Sequence, residues 1–312
     1  MSATVLLSTS LVFVSCKKRD KKTAEEPDKE ANTARDNASL EAINNDIDFM
    51  GSQLSENGSL STYKQNGNNG LTDVLSIAPN ATVTGFGTST ITVNFGSTPT
   101  LCQDGRKRSG MLFFDISSST PTTSVFFRNP GFEVHVTSLN YVVDSNQVNI
   151  INKSVQNITP ASIPTGTNPG TNLRWVTTAN ISVIKPNSGG TIAWAVPSRT
   201  IELINTNDAN CYKGQLFPII WSKAIVKIND GSPVSGTNAK GESYTAKAID
   251  LIRDFNCRPS TLMPYRSPFV EGKIEYKPGS RATRLFDFGV RTSCDFNATV
   301  TINGVTYAIT LP

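Results

Sequence analysis

From about residue 80 onward, short runs of alternating apolar and polar residues follow one another along the chain. STITVNFG, GMLFFDIS, FEVHVTSLNYVV and GTIAWAV are examples, and Gly, Pro, Asn and Asp separate the runs. Alternation places apolar side chains on one face of a strand, and the turn residues let consecutive strands reverse direction. The pattern predicts an all-β fold, an antiparallel meander over residues 80–312. A sandwich, a barrel and a curved open sheet remain as alternatives.

The last part of the chain, ATVTINGVTYAITLP, predicts a β-hairpin. The Asn-Gly pair at 303–304 suits a two-residue primed turn, because both positions of that turn need a positive φ. This turn sets the register, so Val300 faces Tyr307 and Ala298 faces Ile309. The threonines between them occupy the opposite face.

Charge and histidine content exclude several classes of function. The formal net charge is only +4 over 312 residues. Proteins that neutralise a nucleic-acid backbone need a concentrated basic face, so we expect no nucleic-acid partner. The single histidine, His135, rules out a His-rich metal site and any mechanism with two imidazoles. We predict no metal and no cofactor, with a zinc site of cysteine thiolates as the alternative.

An apolar run, ATVLLSTSLVFV, occupies residues 3–14. It is too short to span a bilayer of about 30 Å and fits the apolar region of a signal peptide. Ser15 and Cys16, which follow it, resemble the lipobox of bacterial lipoproteins, in which the cysteine is acylated and the preceding peptide is removed. The resemblance implies a signal peptide over 1–15 and a lipid anchor at Cys16. A cytoplasmic protein with an apolar N-terminus is the alternative.

The segment after the cysteine, KKRDKKTAEEPDKEANTARD, mixes charges of both signs and has no large apolar residue. This composition predicts a flexible charged tether over residues 16–37. The next segment places apolar residues at helical spacing and predicts one short amphipathic helix over residues 38–56 that packs on the domain or on a partner. Its apolar residues are Leu40, Ile43, Ile47, Met50 and Leu54.

The remaining cysteines are Cys102, Cys211, Cys257 and Cys294. An even number in an exported chain predicts two disulfides, with three connectivities open. We favour Cys257 with Cys294, because the strands between them can form a hairpin that brings their flanks together. The second predicted disulfide then joins Cys102 to Cys211. A zinc site of four thiolates is the alternative, although no Cys-x-x-Cys spacing supports it.

The decapeptide LCQDGRKRSG, residues 101–110, concentrates charge around Asp104-Gly105. Asp and Gly favour a tight turn between two strands. Arg106 and Arg108 then share a face of the outgoing strand, where they could pair with Asp104, Asp115 or Asp287. A binding site for a phosphate or an acidic glycan is the alternative. We favour the turn.

Several segments together resemble a family of uncharacterised outer-membrane lipoproteins of Bacteroidetes. They are TITVNFG, LCQDGRKRSGMLFF, LNYVVDSNQV, VSGTNAKGESYTAKAI, GKIEYKPGSRATRLFDFG and CDFNATVTINGVTYAITL, which extend over nearly the whole chain. The resemblance implies an outer-membrane lipoprotein and brings no activity or catalytic residue. Asn80 stands where the family often has a cysteine, which leaves the partner of Cys102 open. The matching positions are Cys102, Asp104, Gly105, Arg106, Gly110 and Cys294.

The sequence is compatible with three classes of function to different degrees. A hydrolase would need His135, which alternation makes an ordinary strand residue, and no Gly-x-Ser-x-Gly motif is present. A carbohydrate-binding module could stack sugars on Trp175, Trp194 and Trp221, although tryptophans in strands more often fill a core. We therefore expect a non-catalytic, lipid-anchored structural or interaction protein of the cell envelope, with a membrane and a protein or glycan as partners. The absence of an acidic run at 17–22 favours a periplasm-facing location over the cell surface.

Overall fold

The computed structural model is mostly antiparallel β-sheet, as the alternation predicts. In the part of the chain that the structure describes, fifteen strands form one continuous sheet and one α-helix, α1, precedes them. The described strands are therefore not divided between two separately hydrogen-bonded sheets. The structure describes residues 32–56, 81–85, 88–102, 105–121, 126–160, 172–215, 217–257, 268–292 and 294–310.

The helix and strands follow in this order: α1 (Asn32–Glu56), β1 (Thr82–Thr84), β2 (Thr90–Asn94), β3 (Thr100–Leu101), β4 (Lys107–Asp115), β5 (Glu133–Val143), β6 (Asn146–Asn157), β7 (Leu173–Ile184), β8 (Thr191–Leu203), β9 (Ile225–Asp230), β10 (Val234–Thr237), β11 (Ser243–Asp254), β12 (Phe269–Pro278), β13 (Arg284–Asp287), β14 (Asn297–Ile302) and β15 (Val305–Thr310). Every strand pair is antiparallel.

The sheet is a meander with one local rearrangement. Its order is β1-β2-β4-β5-β6-β7-β8-β10-β11-β12-β13-β14-β15, and β3 pairs with β4. The short strand β9 shares the place of β10, because each pairs with both β8 and β11. Nearly every pairing therefore joins consecutive strands, as expected for hairpins connected by short turns.

The C-terminal hairpin has the predicted register. Asn303 and Gly304 have φ of 50° and 79°, Val300 pairs with Tyr307, and Ala298 pairs with Ile309. Ala298 is buried, but Tyr307 is 39% exposed. The apolar face is incompletely covered because β15 is the end strand of the sheet.

Two glycine bulges bend the sheet at separated places. Gly110 in β4 has φ +83° beside Asn140, and Gly272 in β12 has φ +96° beside Asp250. A Cβ at Gly110 would stand 2.1 Å from the Asn140 carbonyl oxygen, and one at Gly272 would stand 2.2 Å from that of Asp250. Bulges and glycine kinks of this kind curve a sheet, and here they let the strands bend around α1.

Replacing Gly110 by alanine is expected to lower the free energy of unfolding by at least about 3 kcal/mol, because the new Cβ is strained and meets backbone. Gly231→Ala is the matched control, since its nearest neighbour would be Ser198 Oγ at an ordinary 3.6 Å. Urea unfolding followed by tryptophan fluorescence measures both variants. Equal stability of the two would contradict the bulge geometry.

The predicted helix is present but begins earlier than predicted, at Asn32 instead of residue 38. Residues 32–37 therefore belong to the helix and not to the tether. The physical reason is Asp36, which is 4% exposed and accepts hydrogen bonds from Lys185 and from the backbone of Ala239. These partners are far away in sequence, so composition could not reveal them.

Candidate functional site

Helix α1 is buried on two faces, and only one of them is apolar. The predicted stripe, which includes Leu40 and Ile47, is buried as expected. A second stripe, with Glu41, Asn44 and Asp48, is also buried although it is polar. The helix therefore lies in the curve of the sheet and contacts it through both stripes. We call the polar stripe and its partners in the sheet the ionic seam.

Arg199 of β8 is the centre of the ionic seam. Its guanidinium donates to Glu41 of the helix at 2.5 and 2.8 Å, and to Asp230 of β9 at 2.6 and 3.1 Å. Burial by itself would lower the pKa of Arg199, but the two carboxylates hold this pKa above its ordinary value. Paired geometry of this kind is the strong form of an arginine contact.

Lys153 of β6 contacts the helix one turn further along. Its Nζ lies 2.6 Å from Asp48 Oδ1 and donates to Asn44 Oδ1 at 2.6 Å. The Nδ2 of Asn44 donates to Asp48 Oδ2 at 3.1 Å, which closes a ring of three side chains. Burial lowers the pKa of Lys153, more than Asp48 raises it. All three side chains are at most 9% exposed.

Arg106 and Arg108 share a face, as alternation predicts, but neither pairs with the predicted carboxylates that the structure describes, Asp115 and Asp287. Arg108 is fully buried, and its Nη2 lies 2.5 Å from Oδ2 of Asp46 in the helix. The Nε of Arg106 lies 2.9 Å from Asp144 Oδ2, and its Nη1 lies 3.9 Å from Asp46 Oδ2. The partners are not Asp115 or Asp287, because α1 and the β5–β6 turn supply nearer carboxylates, and Asp104 lies outside the described residues. Both arginines therefore form ion pairs within the protein, Arg108 with α1 and Arg106 with the β5–β6 turn.

The three tryptophans fill the core and form no exposed platform. Trp175, Trp194 and Trp221 are 0%, 1% and 9% exposed. Trp175 stacks on Phe127 with ring centroids 4.8 Å apart. Trp221 contacts Phe49 of the helix edge to face, with ring centroids 6.1 Å apart. Sugar stacking needs a solvent-facing ring, so the observation on which the carbohydrate-binding alternative depended is absent for these residues.

One of the two predicted disulfides is present. Cys257 and Cys294 are bonded, with Cα atoms 5.4 Å apart. The reason is the predicted one, because β12 and β13 form a hairpin between them. The second predicted bond is wrong: Cys102 and Cys211 are not joined to each other, and both are buried thiols. Cys102 lies beside β3 while Cys211 lies in the β8–β9 connection.

The buried thiols should be protected from alkylation in the folded protein. Burial, helped by Asp208, raises the pKa of Cys211 to about 12. Since only the thiolate reacts, iodoacetamide should label Cys211 on the order of a thousandfold more slowly in the native than in the unfolded protein at pH 8. Mass spectrometry after pulsed labelling with and without urea measures this ratio. Rapid native labelling would contradict the burial.

His135 behaves as the strand residue that alternation predicts. It lies on the face opposite the buried Val134 and Val136, and its Nε2 is 2.8 Å from Glu133 Oε1.

In the described ranges no group of three or more His, Cys, Asp or Glu side chains is placed to hold a metal ion. No helix in those ranges is both long and apolar enough to cross a bilayer. Cys16 and the predicted signal peptide lie outside the described residues.

The sequence predicted only the apolar stripe of α1 and not the polar residues of the helix that contact cations of the sheet. Glu41, Asn44 and Asp48 follow one another at spacings of three and four, a second helical face that could have been recognised. Lys153 lies two residues before the buried Val155 and so shares its inward face. A lysine at an inward strand position is a signal for a buried acidic partner.

Comparison with known proteins adds no assignment: no family model, no curated protein and no solved structure matches this chain. The ionic seam contains three buried cations that face the helix, Arg108, Lys153 and Arg199, and each contacts a carboxylate of α1. Its evident physical effect is to fix the helix to the sheet.

Proposed function

We propose that this protein is a lipid-anchored structural or interaction protein of the bacterial outer membrane, facing the periplasm, in which α1 couples the anchor to the β-sheet. The observation that supports this most directly is the ionic seam. The helix is the first element after the expected tether. Its acids Glu41, Asp46 and Asp48 contact cations of the strands, and Asp36 contacts Lys185 in the β7–β8 turn. A pull on the N-terminal segment would therefore be transmitted to the strands.

Two further observations support the same proposal. The Cys257–Cys294 bond is typical of chains that fold in an oxidising compartment. The residues considered as ligand-facing, such as Arg108 and Trp194, are engaged inside the protein. Apolar side chains on the outside, such as Leu139 and Ile151 at 50% and 64% exposure, suit contact with a protein partner better than chemistry.

Acylation and fractionation test the anchor. The full chain is produced in a Gram-negative host with labelled palmitate, beside a Cys16→Ser variant. We expect the wild type to carry label and to fractionate with the outer membrane, because two or more acyl chains anchor a protein stably. The variant should carry no label and should appear in the soluble fraction.

Topology is read from the same cells. Protease added to intact cells should leave the protein whole, and protease added after the outer membrane is opened should cleave it. An unlabelled wild type that retains residues 1–15 would overturn the anchor. Cleavage in intact cells would overturn only the periplasmic orientation.

A further inference from the structure

The ring of Lys153, Asn44 and Asp48 does more than form an ion pair. Lysine, asparagine and a carboxylate are in mutual contact inside the protein, with the Lys153 Nζ 2.6 Å from the Asn44 Oδ1. Since a C=O bond is about 1.23 Å long, the electrophilic Cγ of Asn44 lies within about 3.8 Å of that nitrogen. Reacting atoms that are held this close and shielded from water need little further ordering.

We propose that Lys153 and Asn44 join in an intramolecular isopeptide bond, with Asp48 as the proton carrier, so that α1 becomes covalently attached to β6. The three contacts that close the ring have the required roles. Nζ faces the side-chain amide, the Asp48 carboxylate faces Nζ at 2.6 Å, and its other oxygen faces the leaving Nδ2 at 3.1 Å. This inference goes beyond the proposed anchoring role and does not depend on it.

The reaction balances without any external reagent. Asp48 takes a proton from the Lys153 ammonium, and the neutral Nζ forms a bond to Asn44 Cγ while the carbonyl electron pair moves onto Oδ1. Asp48 then returns the proton to Nδ2, the Cγ–Nδ2 bond breaks, and ammonia leaves. Nζ still carries one proton more than an amide nitrogen does, and the ammonia takes up this extra proton. The net change is an ammonium and a primary amide to a secondary amide and an ammonium ion, with Asp48 regenerated.

The surroundings favour this chemistry. Lys153 and Asn44 are at most 1% exposed, so water has little access to compete with the Lys153 Nζ for the Asn44 Cγ. Burial also lowers the pKa of Lys153, which raises the fraction of the neutral nucleophile. Thr177 Oγ1, at 3.5 Å from Nζ, is the remaining polar contact of the amine among the described residues.

The bond would be mechanically useful. Asn44 and Lys153 are 109 residues apart, so the bond closes a large loop and fixes the first helix to a central strand. An ion pair dissociates under a sustained pull, whereas an amide does not.

Mass spectrometry of the full-length folded protein tests the proposal. Trypsin normally releases residues 36–64 and cleaves after Lys153. We expect instead that peptide 36–64 is linked to peptide 129–174, uncleaved at Lys153, with a mass lower by one ammonia than the sum of the two. Asn-Gly pairs elsewhere can also lose ammonia, so the linked peptide, and not the intact mass alone, is decisive.

Three variants complete the experiment. Lys153→Met and Asp48→Asn remove the nucleophile and the proton carrier, and both should lose the linked peptide completely. Asp46→Asn is the matched control, because it lies on the same helix but contacts Arg108 instead, and it should keep the link. Separate peptides 36–64 and 154–174 from folded wild type, without any linked form, would overturn the proposal. This wild-type result does not require that any variant fold.

Discussion

Replacing Arg199 by methionine is expected to lower the free energy of unfolding by about 3–5 kcal/mol, because it leaves two buried carboxylates facing each other. Arg199 is 2% exposed in its side chain, and Glu41 and Asp230 are 12% and 1% exposed. Water therefore cannot replace the guanidinium. Arg199→Lys should also destabilise, since a single ammonium cannot make paired contacts with both carboxylates.

Arg174→Met is the matched control on the neighbouring strand β7. Its side chain is 53% exposed and its partner Glu202 is 3.5 Å away, so the loss should stay within about 1 kcal/mol. Equilibrium urea unfolding by circular dichroism measures all three variants. The ionic seam would lose its assigned role if Arg199→Met were no more destabilising than the control.

Removing the Cys257–Cys294 bond should have an effect of similar size. The bond closes a loop with a sequence separation of 37 residues, for which the chain-entropy relation gives about 4 kcal/mol. Replacing both cysteines by serine should lower the free energy of unfolding by about that amount. The strands β13 to β15 should open first, because they lie at the end of the sheet.

Reductant supplies the control for this prediction. It should lower the stability of the wild type to that of the double serine variant and leave the variant unchanged, because Cys102 and Cys211 are not bonded to each other. A further loss in the variant on reduction would indicate a second disulfide. Unfolding curves with and without reductant distinguish these outcomes.

Features that depend on neighbouring residues could be predicted from sequence. The alternation along β7 or β8 depends on which residues are apolar, and the Asn303-Gly304 turn depends on backbone preferences at two positions. The Cys257–Cys294 bond followed because a single hairpin separates the two cysteines. In each case the decisive interaction connects residues that are close in sequence or joined by one turn.

The candidate site could not be predicted in this way. Arg106 and Arg108 were recognised as cations on one face, but their partners on α1 were not, because Asp46 is separated from Arg108 by 62 residues. The tryptophans were candidates for a surface, and their burial, for Trp221 beside Phe49 of the helix, is decided by the tertiary structure.

The sequence by itself determined an antiparallel β protein whose strands are preceded by an amphipathic helix, because hydrophobic period and turn chemistry are local properties of the chain. Only the tertiary structure decided that the sheet bends around that helix and pairs its acids with buried cations. Glu41 and Arg199 are 158 residues apart. The energy of such a contact arises from mutual burial, which no local pattern records.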